Sequence, residues 1–178
     1  MNVDLDEFVF SKENYKKIPD IINLLDNKVN NLGQIKFPWI IFSSNNHIKQ
    51  PESVIKYFTD RNNFVNNPSK HNCKYLAKTK LLDSLDIHFA NISGVTVLSN
   101  GKIYTKNKFI IDNNDLKDQL LQLNHYVLQS REWFLNVKCT RGAADCESHQ
   151  NIRNLDYFNK YNNLFTGYTD LLLKNKKY

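Results

Sequence analysis

The chain has few of the residues that mark special classes of protein. Its 178 residues include only five glycines, four prolines and three cysteines, which disfavours collagen-like repeats, linker-like chains and a disulfide framework. The longest apolar runs, such as residues 37–42, fall far short of the roughly 20 residues that a membrane span needs. The N-terminus is acidic where a secretory signal is basic and then apolar. We therefore expect a cytoplasmic protein with no membrane span.

The three cysteines are Cys73, Cys139 and Cys146, an odd number without C-x-x-C spacing, and we interpret them as free thiols. His71 and His149 would complete a zinc set with them, but the spacings match none of the usual zinc motifs. A structural zinc site is the less favoured alternative.

What is present is a chain able to bury a core, with 41% hydrophobic and 12% aromatic residues. We expect a single domain over residues 1–178. The formal net charge is +6, which permits binding to anions without naming one. A basic nucleic-acid module would rest on this charge alone, because no RNA- or DNA-binding motif is present. The diphosphate of a nucleotide would use the positive charge equally well.

Hydrophobic periodicity predicts a mixed chain of strands and helices around one sheet, which places it in the α/β or α+β class. The predicted strands are residues 3–10, 34–43, 87–89 and 95–98, and the predicted helices are residues 15–32, 51–58, 131–137 and 156–173. Residues 62–80 read as polar and irregular.

Asp4 and Asp6 form a D-x-D pair at the end of the first predicted strand. Residues two apart in a strand share a face, so the two carboxylates could hold Mg²⁺ or Mn²⁺, with waters and substrate phosphates completing the shell. His125 could complete such a site, because a neutral imidazole is a good Mn²⁺ ligand. A chance acidic pair and a structural histidine are the plainer alternatives.

A basic segment follows, in which Arg131, Lys138 and Arg141 recur at near-helical spacing before Gly142. Arginine suits phosphate because its planar fork donates two hydrogen bonds at once. The alternative is a solvated basic face.

Several motifs occur together in the order seen in family 92-like glycosyltransferases, which are related to family 2 enzymes and have the GT-A fold. The chain resembles that family over nearly its whole length, and the block from Asn-His-Tyr to Arg-Gly-x-Ala-Asp is the most specific part. The motifs are Val-Asp-Leu-Asp-Glu-Phe (3–8), Trp-Ile-Ile-Phe (39–42), His-Ile-Lys-Gln-Pro-Glu (47–52), Asn-Pro-Ser-Lys (67–70), Asn-His-Tyr (124–126), Ser-x-Glu-x-Phe (130–134) and Arg-Gly-Ala-Ala-Asp (141–145).

The resemblance implies an α/β chain with a partial GT-A fold, in which the C-terminal part of a mixed sheet is flanked by helices. It implies a metal-dependent transfer of sugar from a nucleoside-diphosphate sugar to the hydroxyl of a glycan or another acceptor. Asp4, Asp6 and His125 match the metal ligands, and Arg141 with Lys138 would stabilise the diphosphate.

For an inverting reaction a carboxylate must take the acceptor proton, and Glu52 and Asp145 are the candidates. We prefer Glu52, at the start of a predicted helix, although a carboxylate that merely favours the helix dipole would look the same. Trp39 could stack on a sugar, but core packing is the more favoured interpretation.

The D-x-D pair lies close to residue 1, whereas GT-A enzymes first build a Rossmann-like half that binds the nucleotide. We therefore expect the chain to correspond to the C-terminal half and to show little or no transfer alone. Either the N-terminal half is a separate chain, which would be a partner, or the sequence is a fragment of a longer protein, or the chain is a remnant. The alternative is a non-catalytic remnant or interaction protein that keeps part of the fold.

Overall fold

A computed structural model describes residues 1–13, 16–62, 71–86, 89–105, 110–111, 113–116, 118–141, 153–164 and 167–176. The strands are β1 (Glu7–Ser11), β2 (Leu32–Ile41), β3 (Asp60–Asn62), β4 (His71–Ala77), β5 (Leu82–Leu85), β6 (Ala90–Ile92), β7 (Val95–Leu98), β8 (Ile110–Ile111), β9 (Leu121–His125) and β10 (Gly167–Thr169). The helices are α1 (Ile18–Lys28), α2 (Val54–Tyr57), α3 (Arg131–Trp133) and α4 (Leu155–Leu164), and a π-helical turn (Phe134–Lys138) continues α3. The predicted mixed α/β class is confirmed.

The main sheet has the strand order β1-β9-β2-β4-β8, with β7 also pairing to β2. The β2–β7 pair is parallel, whereas β1–β9, β2–β4 and β4–β8 are antiparallel. The sheet is therefore mixed, as expected. Strands β5 and β6 form one two-stranded sheet, and β3 and β10 form another.

The chain divides into two compact units. The first contains Met1–Ile40, Pro68–His125 and Lys176–Tyr178, and the second contains Ile41–Asn67 and Tyr126–Asn175. The single transferase domain over residues 1–178 stays a prediction. In the part of the chain that is described, no helix has the length and apolar character needed to span a bilayer.

The core of the first unit lies between α1 and one face of the main sheet. Ile21 and Leu25 of α1 are fully buried there, at the helical spacing that places side chains on one stripe. The sheet residues they cover follow the two-residue period of strands, and they are Ile35, Phe37, Val97, Leu121 and Leu123.

Two glycines permit a close approach beside this core. A Cβ on Gly94 would lie 2.9 Å from the carbonyl oxygen of Asn31, and one on Gly33 would lie 2.3 Å from Cδ1 of Ile92. Both distances are shorter than real side chains allow. The start of β2 can therefore pack this closely against the turn before β7 because both positions are glycine.

The second unit has its own aromatic core. Phe134 stacks against Tyr157 and packs on Phe158 of α4, with ring centroids 6.1 and 5.1 Å apart. Leu128 and Val127 complete the buried cluster. In the same unit the carboxylate of Asp170 accepts a hydrogen bond of 2.7 Å from Nε of Arg61.

The boundaries of several predicted elements are wrong. The first helix covers only Ile18–Lys28, inside the predicted residues 15–32. The last helix ends at Leu164 rather than 173, because Gly167 has a φ of +106° and the chain then pairs as β10 with β3. Residues 71–77, predicted as irregular, form strand β4. Of the strand predicted at 87–89, residues 87 and 88 lie outside the described part.

Candidate functional site

The D-x-D pair lies in a turn and not in a strand. Strand β1 begins at Glu7, and the backbone N–H of Glu7 donates a 3.1 Å hydrogen bond to the carbonyl oxygen of Asp4. The turn exposes Asp4 and buries Asp6. The prediction that the pleat of a strand puts both carboxylates on one face is therefore wrong, and the turn gives the two residues different surroundings.

The fold brings Asp6 to His125, one of the partners proposed for it from the sequence. His125 ends β9 directly opposite Glu7, and its Nε2 lies 3.6 Å from Oδ1 of Asp6. Both residues are 6% exposed. The imidazole is held from one face by the Trp39 indole, which stacks on it with centroids 4.6 Å apart and planes at 21°.

The Trp39 ring is therefore part of the packing at this end of the sheet. It is partly buried and contacts the apolar core of the first unit, and one of its faces is used by His125. The core-packing interpretation of Trp39 is confirmed by these contacts. Stacking on a sugar stays a prediction.

Glu7 and Lys74 form a buried ion pair beside the same residues. Nζ of Lys74 lies 3.2 Å from Oε2 of Glu7, and the two side chains are 1% and 0% exposed. The same ammonium lies 6.0 Å from the centroid of the Trp39 ring. The sequence pattern does not identify Lys74, because its segment reads as polar and irregular. The available signal was the run Cys73-Lys74-Tyr75-Leu76, which is strand-like apart from its lysine.

The side chains of Asp6 and His125 are of types that can bind a divalent cation, with only two ligands from the protein. One carboxylate and one imidazole suit Mn²⁺, and the ring nitrogen of His125 that faces Asp6 is Nε2, which lies 3.6 Å from Oδ1. Across the described ranges no cluster of three or more His, Cys, Asp or Glu side chains could hold a metal. The three-ligand set of Asp4, Asp6 and His125 is therefore not assembled there, and any cation at Asp6 and His125 would draw its other ligands from phosphate oxygens and water.

Two of the sequence motifs meet in the second unit. The backbone N–H groups of Arg131 and Glu132 donate to the carbonyl oxygens of His47 and Ile48, at 3.0 and 2.9 Å. The carboxylate of Glu132 in turn accepts from the N–H of Gln50 at 3.1 Å. The segments 47–52 and 130–134, which are two of the motifs of the family resemblance, are thus joined by hydrogen bonds.

The Gln50 side chain closes this junction. Its Nε2 donates to Oε1 of Gln129 at 2.8 Å, and its Oε1 accepts from the backbone N–H of Ser130 at 3.3 Å. The buried Ser130 hydroxyl accepts from the N–H of Trp133 at 3.1 Å and so begins α3. Gln50 and Ser130 therefore organise the motif, a role the sequence did not predict.

The structure describes one of the two candidate general bases, Glu52, and does not describe the other, Asp145. Glu52 is exposed and precedes α2, which begins at Val54 with Ser53 as its cap, so the predicted helix over 51–58 and its dipole do not include Glu52. Asp145 lies outside the described residues, as do Cys146 and His149.

The candidate phosphate ligands lie at the end of the π-helical turn. Nζ of Lys138 lies 5.5 Å from the centroid of the Trp133 ring, close enough for a cation–π interaction. Arg141 is exposed. The predicted helix over 131–137 exists as α3 and the π-helical turn, and it carries both cations near its end.

No protein-family model and no curated protein matches this chain. The resemblance to family 92-like glycosyltransferases therefore rests on the sequence motifs.

Proposed function

We propose that this chain is a glycosyltransferase segment with a partial GT-A fold, which uses a divalent cation to transfer a sugar from a nucleoside-diphosphate sugar to an acceptor hydroxyl. The observation that carries the proposal is the 3.6 Å contact between Asp6 and His125. These residues are far apart in sequence, and the sequence motifs predict them as ligands of one metal ion. Their meeting supports the resemblance at its most testable point.

In the proposed reaction, Mn²⁺ or Mg²⁺ would neutralise the charge that grows on the leaving diphosphate. Asp6 and His125 bind the cation, and Trp39 fixes the plane of the imidazole through its stacking contact. Arg141 and Lys138 are the proposed ligands of the diphosphate oxygens, as the resemblance implies, because positive charge there favours departure of the nucleotide.

Glu52 is the proposed general base. Its side chain is exposed, so an acceptor hydroxyl can approach the carboxylate and lose its proton as the new glycosidic bond forms. Asp145 remains the second candidate for this role. The acceptor is a glycan or another hydroxyl compound.

A non-catalytic protein that keeps part of this fold is the second candidate function. The observation that favours it is the burial of Asp6 and His125, each 6% exposed. Buried polar groups of this kind also occur as the polar end of a core, with no ligand. Cation binding separates the two candidates.

The first experiment is titration of Mn²⁺ into the Trp133→Phe variant, with and without UDP. This variant retains Trp39 as its only tryptophan, and because Trp39 stacks on His125, bound paramagnetic Mn²⁺ quenches its fluorescence. We expect quenching that saturates and tightens with UDP. Mg²⁺ should compete without quenching.

Asp6→Asn and His125→Gln should each weaken Mn²⁺ binding by about tenfold or more, because each removes a ligand. Asp83→Asn is the matched control, since Asp83 is an exposed aspartate of the same unit that bonds to Ser93. Asp4→Asn tests whether the exposed carboxylate contributes. Equal affinity in wild type, Asp6→Asn and His125→Gln would refute the metal site and favour the non-catalytic candidate.

A second experiment tests Glu52. The chain is incubated with UDP-glucose or UDP-galactose, Mn²⁺ and a glycan acceptor at high protein concentration, so that the weak transfer expected of the chain alone is detected as released UDP. Glu52→Gln should retain the Mn²⁺ and UDP affinities of wild type while UDP release is lost, because the base acts on the acceptor and not on the cation. Detectable release that is equal in both proteins would exclude Glu52 as the base.

A further inference from the structure

The apolar face of the main sheet ends in a row of polar and aromatic side chains, one from each of four adjacent strands. Glu7 of β1 pairs with His125 of β9, and His125 stacks on Trp39 of β2. Lys74 of β4 pairs with Phe37, two residues before Trp39, and so shares its face. The polar row is these four residues, Glu7, His125, Trp39 and Lys74.

Lys74 connects the two ends of the polar row. Its ammonium lies beside the Trp39 ring and reaches Oε2 of Glu7 on the outermost strand of the row. It also donates to the carbonyl oxygen of Asn2 at 3.3 Å. A single cation, 1% exposed as a side chain, therefore holds both Glu7 and the segment that leads to Asp6.

Glu7 holds the same segment from its other side. Its Oε2 accepts a 2.9 Å hydrogen bond from the backbone N–H of Asp4, while its own N–H donates to the carbonyl oxygen of Asp4. Residues 4–7 therefore form a turn that is held by one backbone hydrogen bond and by one hydrogen bond to the Glu7 side chain. Asp6 lies within this turn, and its Oδ1 lies 3.6 Å from Nε2 of His125.

We propose that Lys74 and Glu7 are positioning residues that hold the turn of residues 4–7 so that Asp6 faces His125. The proposal rests on the proposed function, in which Asp6 and His125 bind the cation. Two buried charges are costly to remove from water, and an apolar pair of similar volume often serves packing as well or better. The hydrogen bonds from Asp4 to Glu7 and from Lys74 to Asn2 give this pair a task that an apolar pair could not perform.

The test compares Lys74→Met, Glu7→Leu and the double variant Glu7→Leu/Lys74→Met, because leucine has neither the charge of Glu7 nor an oxygen to accept the N–H of Asp4. Each single variant leaves one buried charge without its counter-charge, so its urea midpoint should fall. The double variant removes both charges, and its midpoint should recover toward that of wild type. Its Mn²⁺ affinity should nevertheless remain about tenfold or more below wild type, because the turn is no longer held. Lys78→Met, which breaks the more exposed Lys78–Asp26 pair, is the control and should keep wild-type affinity.

Recovery of Mn²⁺ affinity together with the urea midpoint in the double variant would overturn the proposal, since the pair would then be structural only.

A readout without metal keeps the two proposals separate. The N–H groups of Asp4 and Glu7 are both hydrogen-bonded in the turn, so their exchange with solvent deuterium should be slow in wild type. Exchange at both should accelerate in the double variant, while that of Leu123 in the sheet stays unchanged. Wild-type protein that binds no Mn²⁺ but shows this change would refute the metal site and keep the positioning role. Rapid exchange at both amides in wild type would refute the positioning role itself.

Discussion

Cys73 shows how the surroundings of a single side chain set its chemistry. It lies on β4, is 3% exposed and packs with Leu98, Tyr104 and Ile111. Burial raises the pKa of its thiol to about 11, and the positive charge of Lys36 offsets only part of this effect. The thiolate is the reactive form of cysteine, so Cys73 is an inert structural residue. Cys139 is also a thiol but is only partly buried.

In a Cys146→Ser background, Ellman's reagent at pH 8 should modify Cys139 first. Cys73 should react about 100-fold more slowly than an ordinary thiol, because its pKa is raised by about two units. Cys73→Ser should remove the slow phase only. A single fast phase for both thiols would contradict the prediction.

The same pKa has a consequence for stability. The thiol ionises near pH 9 in the unfolded chain and near pH 11 in the folded protein, so the folded state alone retains the proton between these values. The contribution of this thiol to the free energy of unfolding is constant below pH 9. It falls by about 3 kcal/mol in total as the pH rises to 11. Wild type should therefore lose more free energy of unfolding over this range than Cys73→Ala does. Parallel curves would refute the assignment.

At this scale, the sequence identified Asp6 and His125 but not Lys74. The first two belong to motifs whose residues keep a fixed order along the chain. Lys74 is buried only because its charge is balanced by Glu7, which is far away in the sequence. A prediction from hydrophobic periodicity assigns every lysine to the solvent-exposed face. It therefore cannot identify a lysine that is buried in an ion pair.

At the scale of elements, the junction between residues 47–52 and 129–132 depends on Gln50. Gln50→Ala would leave Oε1 of the buried Gln129 and the N–H of Ser130 without these bonds. We expect the free energy of unfolding to fall by about 1–3 kcal/mol, measured by urea denaturation. Lys49→Ala is the control at an exposed neighbour and should change it by less than about 0.5 kcal/mol. An equal effect of both variants would show that the junction is not specific.

Helix positions were easier to predict than helix lengths. The apolar stripe of α1 and the start of α3 at Arg131 could be predicted from the sequence, because side-chain spacing is a local signal. The end of α4 was not, since it depends on β10 pairing with β3, a strand from a distant part of the chain. Non-local pairing overrides local helical pattern in such segments.

At the scale of the whole molecule, Gly94 and Gln50 belong to different compact units. Gly94→Ala should cost about 1–3 kcal/mol, because its Cβ would meet the backbone oxygen of Asn31. The double variant Gln50→Ala/Gly94→Ala should then lose the sum of the single effects to within about 0.5 kcal/mol, since the two residues share no hydrogen-bond partner in the described chain. A larger deviation in urea denaturation would mean that the two sites are coupled.

The mixed α/β class of the whole molecule could be predicted from alternating strand and helix patterns. The strand order could not, because β9 lies between β1 and β2 although it follows both by many residues. Residues 121–125 begin with the alternating run Leu-Gln-Leu-Asn, but the polar residues Gln122 and Asn124 are buried, as the leucines are. Such alternation is typical of a strand with one face in solvent, so it does not predict a central strand that is buried on both faces.

The π-helical turn over Phe134–Lys138 is one residue wider than an α-helical turn, as its bond from the N–H of Cys139 to the carbonyl oxygen of Phe134, at 3.0 Å, shows. A turn of this width accommodates one extra residue locally, so deleting one residue here would restore α-helical winding while the residues that follow keep nearly their direction relative to Phe134. The directions of Lys138 and Arg141 are thus insensitive to the loss of one residue within the turn. A single-codon deletion in this segment would shorten the chain and still present both cations nearly where they now lie.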